Sequence, residues 1–304
     1  MVAINNVTKR FDKKVAVSSL TVTFEPGITG LVGQNGAGKS TLLRMIAGVY
    51  LADEGEILVG PYPANSRESK GIVFFLPDVP VYPVNSDVQE LYRFYNMFYN
   101  ISKESYYSLI EKFKLPQNVK LTKFSKGMKR LAFIALALSV DCKVLLLDEA
   151  FDGLDLLVLE TVKETIVKLC KVEDKIVVVS SHNILALEKL VDRFVLIREG
   201  KLSNEGDLDS LGETFVKYQA IFSDDKHCNE QLLSGFGLKV ISYRQVGSIH
   251  NFVISKKEGD DVESILRKLE PSLLEEVAID SSEIIMLQMA LANKESSNEK
   301  DQLY

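Results

Sequence analysis

The nine residues GQNGAGKST, from Gly33 to Thr41, have the composition and spacing of a loop that binds phosphate. They match the pattern G-x-x-x-x-G-K-[ST] at Gly33, Gly38, Lys39 and Ser40. The glycines allow successive backbone N–H groups to surround an anion, and a helix that begins after the loop adds the positive end of its dipole. Lys39 would reach the outer phosphate oxygens, and Ser40 would ligate Mg²⁺. A glycine-rich turn without a ligand is the weaker alternative.

Two carboxylates follow an apolar run, where they are costly unless they serve a cation or a proton. Val144–Leu147 predicts a buried parallel strand, and Asp148 and Glu149 come directly after it. We expect Asp148 to hold Mg²⁺, directly or through water, and Glu149 to polarise an attacking water. His182 ends the next apolar run, KIVVVSSH, and is expected to contact a terminal phosphate. Taken alone, a histidine in that position is more often an ordinary loop residue.

The segment FSKGMKR, from Phe124 to Arg130, places cations immediately before the apolar run LAFIALALSV. Cations in the first turn of a helix oppose the helix dipole, so we expect an anion near Ser125. The alternative is that Lys126, Lys129 and Arg130 are simply solvated.

These candidate residues need a parallel sheet to bring them together. GITGLVG, KVLLLDE and KIVVVSSH are short apolar strands that end in loops, which is typical of an α/β fold with helices on both faces of the sheet. Ligands bind at the carboxyl ends of such strands, so the three loops should meet. Before them, NNVTKRF and VAVSSLTVTF alternate in polarity and predict an antiparallel N-terminal flap.

The sequence predicts two domains and a tail. Residues 1–212 form the phosphate-binding domain, with a mostly helical subdomain at about 84–140. The aromatic spacing of DVQELYRFYNMFYN favours a packed helical subdomain, and a partner-docking surface is the alternative. Residues 213–293 have the order β-α-β-β-α-β with an added helix, which predicts a small α+β domain of ferredoxin-like topology. Residues 294–304 are polar, and we expect a disordered tail.

Composition excludes several classes of function. The 304 residues include 36 Lys and Arg against 42 Asp and Glu, a net charge of −6 that argues against a nucleic-acid partner. Cys142, Cys170 and Cys228 are scattered and only three His are present, which argues against a zinc site and for a reducing compartment such as the cytoplasm. No apolar run approaches the ~20 residues that span a bilayer.

The combination of GQNGAGKST, FSKGMKR, VLLLDEAFDGLD and VVVSSH resembles the nucleotide-binding subunits of ATP-binding cassette (ABC) transporters, over about residues 1–220. The resemblance implies a P-loop NTPase core that binds ATP and Mg²⁺ and hydrolyses ATP. It also implies a homo- or heterodimer in which the signature helix of one subunit caps the ATP of the other. A separate transmembrane permease is the further partner implied, which would place the chain in the cytoplasm, peripheral on the inner face of the cell membrane.

The resemblance assigns roles by position. Ser125–Met128 is the signature loop, Gly153–Asp155 the D-loop, and His182 the switch histidine. The residues implied to bind ATP are Phe11, against adenine, and Gly33, Asn35, Gly36, Ala37, Gly38, Lys39, Ser40, Thr41, Ser125 and Gly127. Those implied for catalysis are Glu149 and His182, and those implied for Mg²⁺ are Ser40, Asp148 and Asp78.

The sequence departs from the family pattern at two positions. Asp78 stands where a glutamine usually senses Mg²⁺ and contacts the membrane partner, and Ala150 replaces the usual proline after the glutamate. We expect the second change to have a mild effect. The permease is expected to dock between Asp78 and Tyr99.

The SKGM signature, the SSHNILALEKLVDRFVLI run and the C-terminal extension are most similar to the subgroup that exports antibiotics, peptides or hydrophobic compounds. A regulatory or nucleotide-sensing ATPase without transport is the open alternative. Ribosome-acting relatives carry two cassettes and DNA-repair relatives a long coiled coil, and the sequence has a single GAGKS and no such insert.

Overall fold

A computed structural model describes residues 1–208, 210, 213–222, 229–256, 260–280, 282–289 and 291, apart from the side chains of 171–173. The predicted tail, 294–304, and residue 212, the predicted end of the first domain, lie outside the described residues. The chain divides into two compact units, Met1–Glu205 and Gly206–Tyr304. None of the helices in the described part of the chain combines the length and the hydropathy that crossing a bilayer needs.

The elements are numbered in chain order among the described residues. The strands are β1 Val2–Phe11, β2 Lys14–Phe24, β3 Gly27–Val32, β4 Glu54–Val59, β5 Tyr62–Pro63, β6 Val73–Leu76, β7 Val144–Asp148, β8 Ile176–Ser181, β9 Arg193–Arg198, β10 Lys201–Asp207, β11 Phe215–Ile221, β12 Lys239–Val246, β13 Ile249–Ser255 and β14 Leu273–Val277. The helices are α1 Lys39–Ile46, α2 Arg67–Lys70, α3 Val88–Asn96, α4 Lys103–Lys112, α5 Lys126–Leu138, α6 Leu156–Glu173, α7 Glu230–Gly235, α8 Val262–Arg267 and α9 at residues 282–289. Short 3-10 turns span Leu121–Lys123 and Ile184–Leu187.

The sheet that positions the site has six strands in the order β10-β9-β3-β8-β7-β6. The neighbours from β9 to β6 are parallel, and β7 and β8 are buried along their whole length. Strands of this kind are continuous apolar runs because both faces are covered. Val32 pairs with Ser181, and Asp148 pairs with Ser180. This register brings the loops after β3, β7 and β8 to one edge, which confirms the predicted α/β core.

The N-terminal flap is larger than the two strands that alternation predicted. Strands β2, β1, β4 and β5 form a four-stranded sheet in that order, with antiparallel neighbours. The apolar side chains of this sheet join the same buried cluster as α1 and the parallel strands. Strands β4, β5, β6, β9 and β10 were not predicted, because their apolar stretches are short and lie beside charged turns.

The segment predicted as a helical subdomain, 84–140, contains α3, α4 and α5. Asp87 and Glu90 form a capping box at the start of α3, and Ser102 caps α4. From Arg130 to Leu138, α5 is buried on all sides, as its apolar sequence requires. Tyr92 stacks on Tyr106, with ring centroids 5.6 Å apart, so part of the aromatic series is packed.

The second unit contains an antiparallel sheet in the order β12-β13-β11-β14. With α7 between β11 and β12 and α8 between β13 and β14, this is the predicted β-α-β-β-α-β arrangement of a ferredoxin-like fold. Side chains of α7 and α8 form one apolar cluster with the strands, and Leu287 of α9 belongs to a second.

Candidate functional site

The phosphate loop connects β3 to α1, and its last glycine adopts a conformation that other residues rarely use. Gly38 has a φ of 110°, and a Cβ there would lie 2.6 Å from the carbonyl oxygen of Ala16. Lys39 begins α1 and is buried. Its Nζ donates to the carbonyl oxygens of Gly33 at 2.7 Å and Gln34 at 3.3 Å. The loop therefore folds against its own ammonium group, where the sequence predicts an anion.

Asp148, the last residue of β7, is a fully buried carboxylate with partners on one oxygen only. Its Oδ1 accepts hydrogen bonds from Ser40 Oγ at 3.0 Å and Ser180 Oγ at 2.7 Å. Its Oδ2 is buried and has no hydrogen-bond partner. Buried polar atoms are rarely left unpaired, so a cation is the group that would complete this site.

The donor set fits Mg²⁺ better than a metal held by protein alone. Within the described ranges, no cluster of three or more His, Cys, Asp or Glu side chains could hold a metal ion. Mg²⁺ is usually bound by one or two carboxylates while substrate phosphates and water supply the other ligands. Asp148, at the end of β7, and the hydroxyl of Ser40, in the first turn of α1, lie 3.0 Å apart and match that requirement.

Glu149 is held through both of its carboxylate oxygens. Its φ of 47° is uncommon for a residue with a side chain, and its backbone N–H donates to Ser180 Oγ at 3.0 Å. Oε1 lies 3.3 Å from Lys39 Nζ, and Oε2 lies 2.8 Å from His182 Nδ1. The loops after β3, β7 and β8 thus bring together the predicted phosphate-binding lysine, base and histidine.

A cleft of about 470 Å³ opens beside these residues. It is lined by Phe11, Lys14, Ala16, Asn35, Gly36, Ala37, Gly38, Lys39, Ser40, Thr41, Asp78 and Glu149. Phe11 is 40% exposed and packs edge to face on Tyr50, with ring centroids 5.3 Å apart. A partly exposed aromatic ring in the same cleft as a phosphate loop suits the face of a planar base.

Asp78 lines the cleft and is also bound to a residue of α5. Its Oδ1 accepts a hydrogen bond from Arg130 Nη2 at 2.7 Å, and the carbonyl oxygen of Pro77 accepts one from Nη1 at 3.4 Å. Arg130 is only 5% exposed. The alternative that this arginine is simply solvated is therefore wrong, since its guanidinium is paired below the surface.

The start of α5 lies against the loop after β7, and Ser125 and Gly127 are not among the residues that line the cleft. Ser125 caps the helix by accepting a hydrogen bond from the backbone of the first turn. A Cβ at Gly127 would lie 2.9 Å from the carbonyl oxygen of Gly153. Lys126 forms an ion pair with Asp152, and its hydrogen bond lowers the pKa of that carboxyl. One anion near Ser125 therefore belongs to the same chain.

The structure gives Ser180, Lys14 and Arg130 contacts at the site that the sequence analysis did not assign to them. Ser180 bonds both Asp148 and the backbone of Glu149, Lys14 lines the cleft, and Arg130 holds Asp78. Ser180 could have been found from the sequence, because it is a polar residue at the end of a buried apolar run and buried polar groups need hydrogen-bond partners. No comparable feature of the sequence marks Lys14 or Arg130 as residues of the site.

Comparisons with known proteins agree with this geometry. Residues 17–152 match the ABC transporter family. The ABC transporter ATP-binding protein YtrB of Bacillus subtilis (strain 168) is 26% identical over 294 residues, covering 94% of this chain and 97% of that protein. The Nod factor export ATP-binding protein I of Burkholderia lata is 32% identical over 220 residues, covering 69% of this chain and 72% of that protein.

A solved structure described as the ATP-binding subunit of an ABC transporter has a similar fold. Its TM-score is 0.64 at 24% identity, and the match covers 70% of this chain and 92% of that one.

Proposed function

The chain belongs to the ABC transporter ATP-binding proteins, a family of ATPases, and from that premise we propose that it binds ATP with Mg²⁺, hydrolyses it, pairs with a second nucleotide-binding subunit and drives a separate membrane permease. One observation carries the proposal. Lys39 and Ser40 of the phosphate loop lie within contact distance of Glu149 and Asp148, which come from a strand more than a hundred residues away. These contacts bring the residues proposed as phosphate loop, metal ligand and base to one edge of the sheet, which supports the proposal.

The residues divide the chemistry between them. The backbone N–H groups of the phosphate loop and the Lys39 ammonium group bind phosphate oxygens. Bound Mg²⁺, held by Ser40 and Asp148, would neutralise phosphate charge. Glu149 accepts the proton of the attacking water, and the contacts of Lys39 with Oε1 and of His182 with Oε2 fix the orientation of that carboxylate.

A second subunit would complete the site. Ser125 and Gly127 are assigned to ATP by the family resemblance, yet they do not line the cleft of their own chain. The N-terminus of α5 is an anion-binding end without a phosphate loop beside it in the sequence. Both facts support a head-to-tail dimer in which each α5 closes the cleft of the other subunit, whether the two chains are identical or different.

The segment from Asp78 to Tyr99 carries the apolar surface that a permease would cover. The large apolar side chains exposed there are Val79, Val81, Val84, Met97 and Phe98. Exposed apolar patches of this kind mark interaction sites. A chain bound to a permease there would lie in the cytoplasm, peripheral on the inner face of the cell membrane.

The transport direction that we infer is export, with peptides, antibiotics or hydrophobic compounds as the class of cargo. The relative named for Nod factor export supports this direction, as do the SKGM signature and the C-terminal extension. Specificity for the compound itself would reside in the permease.

The test is to purify the chain from membranes, identify the co-purifying permease and measure ATPase activity with and without it. Phe98→Glu should abolish the stimulation by the permease, because a charge enters the docking surface. The control is Leu51→Glu, an exposed apolar residue outside the segment, which should leave stimulation intact. ATPase activity with no permease partner would favour the regulatory ATPase, and a response only to an importer's binding protein would overturn export.

A further inference from the structure

The cleft proposed to bind ATP contains a carboxylate that a polyanion should avoid. Asp78 lines the cleft together with the phosphate loop, and about half of its side chain is exposed. Glu149, the other acidic residue of the lining, is paired with Lys39. An uncompensated charge on Asp78 would repel the phosphates of a nucleotide.

The negative charge of Asp78 is compensated by the buried guanidinium group of Arg130. Arg130 reaches it with Nη2 at 2.7 Å and contacts the preceding carbonyl, that of Pro77, with Nη1 at 3.4 Å. A guanidinium that is 5% exposed is costly unless it is paired and hydrogen-bonded. Nη1 and Nη2 of Arg130 thus bind Pro77 and Asp78, which are consecutive residues of the loop that follows β6.

A second cation at the start of α5, Lys126, does not serve this purpose. Lys126 is paired with Asp152. Among the described residues, Asp78 is the carboxylate within ion-pair distance of Arg130. The pair therefore links the wall of the cleft to the helix that begins after Ser125.

We propose that Arg130 is a positioning residue that neutralises Asp78 and fixes its carboxylate on the wall of the cleft, so that the cleft accepts a nucleotide polyphosphate. This inference rests on the proposed ATP-binding function. It explains how an aspartate can occupy the position of a neutral glutamine: the positive charge that it requires comes from α5.

The experiment measures the affinity for ATP, by isothermal titration calorimetry in EDTA, where nucleotide charge is highest. Arg130→Gln leaves Asp78 uncompensated, and we expect the dissociation constant to rise roughly ten-fold for one added charge near the phosphates. Asp78→Asn keeps an acceptor for Arg130 and removes the negative charge, so affinity should increase. The double variant should return to within about three-fold of the unmodified protein, because the net charge of the wall is restored.

Two controls separate charge from structure. Arg193→Gln removes the same charge at the opposite end of the parallel sheet, where Arg193 pairs with Glu25, and should not change affinity. Bound Mg²⁺ offsets two of the negative charges of ATP. In its presence, the loss of ATP affinity caused by Arg130→Gln should therefore shrink from ten-fold to about three-fold. Thermal melts of each variant report whether it is folded.

The possible results are distinct. Rescue of Arg130→Gln by Asp78→Asn, together with tighter ATP binding by Asp78→Asn alone, supports the inference, since a purely structural ion pair would not make Asp78→Asn bind ATP more tightly. A double variant as weak as Arg130→Gln, or weaker binding by Asp78→Asn in EDTA, would overturn it even if Arg130→Gln were unstable. No ATP binding by the unmodified protein would overturn the proposed function as well.

Discussion

Replacing Ser180 by alanine should loosen both acidic residues of the site at once. Ser180 is fully buried, donates to Asp148 Oδ1 at 2.7 Å and accepts from the backbone N–H of Glu149 at 3.0 Å. The hydrogen bond to a charged carboxylate is worth about 1.5–3 kcal/mol, and the orphaned N–H of Glu149 adds about 1 kcal/mol. The expected loss is about 2.5–4 kcal/mol, or roughly 5–15 °C in the Tm of a unit of this size.

The assay is thermal unfolding of the full chain followed by circular dichroism, arranged as a double-mutant cycle with Asp148→Asn. We expect a coupling energy of about 1 kcal/mol or more between Ser180 and Asp148, because they share one hydrogen bond. Ser181 is the matched control, since it is a neighbouring buried serine whose Oγ bonds the backbone of Asn183 instead. Equal Tm values for Ser180→Ala and the unmodified protein, or equal coupling of Ser181 to Asp148, would refute the reasoning.

Three shorter predictions concern the phosphate loop, the base and the second unit. Lys39→Ala should abolish measurable ATP binding in calorimetry, because the phosphate charge loses its buried counter-charge; retained ATPase activity would show that the loop is misassigned. Glu149→Gln should keep ATP binding, slow hydrolysis roughly 10²–10⁴-fold and trap an ATP-dependent dimer on size-exclusion chromatography; an unchanged monomer would contradict shared sites. Burial lowers the pKa of His250 below its ordinary value, so the folded state binds fewer protons and the free energy of unfolding should fall as the pH drops below about 6.5. Urea denaturation at pH 7.5 and 5.5 checks this, and His250→Gln should lose that pH dependence.

The parts of the fold that were predictable are those in which local sequence and global structure agree. GQNGAGKST specifies its own loop, and the apolar runs before Asp148 and His182 suit strands buried on both faces. The second unit was predictable for the same reason, since its strands and helices follow one another along the chain in the β-α-β-β-α-β order of a ferredoxin-like fold.

The contacts that were not predictable depend on register and on packing between distant segments. Ser180 meets Asp148 only because β7 and β8 pair in one particular register. Arg130 lies 52 residues from Asp78, and nothing in FSKGMKR distinguishes the buried cation from the exposed Lys126. These contacts depend on how strands pair and how helices pack. A short sequence motif identifies residues that bind a ligand, but it does not identify the distant residues that support them.

The start of α5 has an internal ion pair, and in the dimer proposed above the same helix terminus would also face a second subunit. Asp152 neutralises the side chain of Lys126, which removes the conflict between that cation and the helix dipole. An α-helix nevertheless leaves the backbone N–H groups of its first turn without partners inside the helix. The ion pair to Asp152 does not use those groups, and the turn lies so close to Gly153 that a Cβ at Gly127 would be 2.9 Å from its carbonyl oxygen. Lys126 and Arg130 of FSKGMKR are thus part of the chain's own structure. In the dimer proposed above, the backbone donors of this helix terminus are the groups that a phosphate from another subunit would meet.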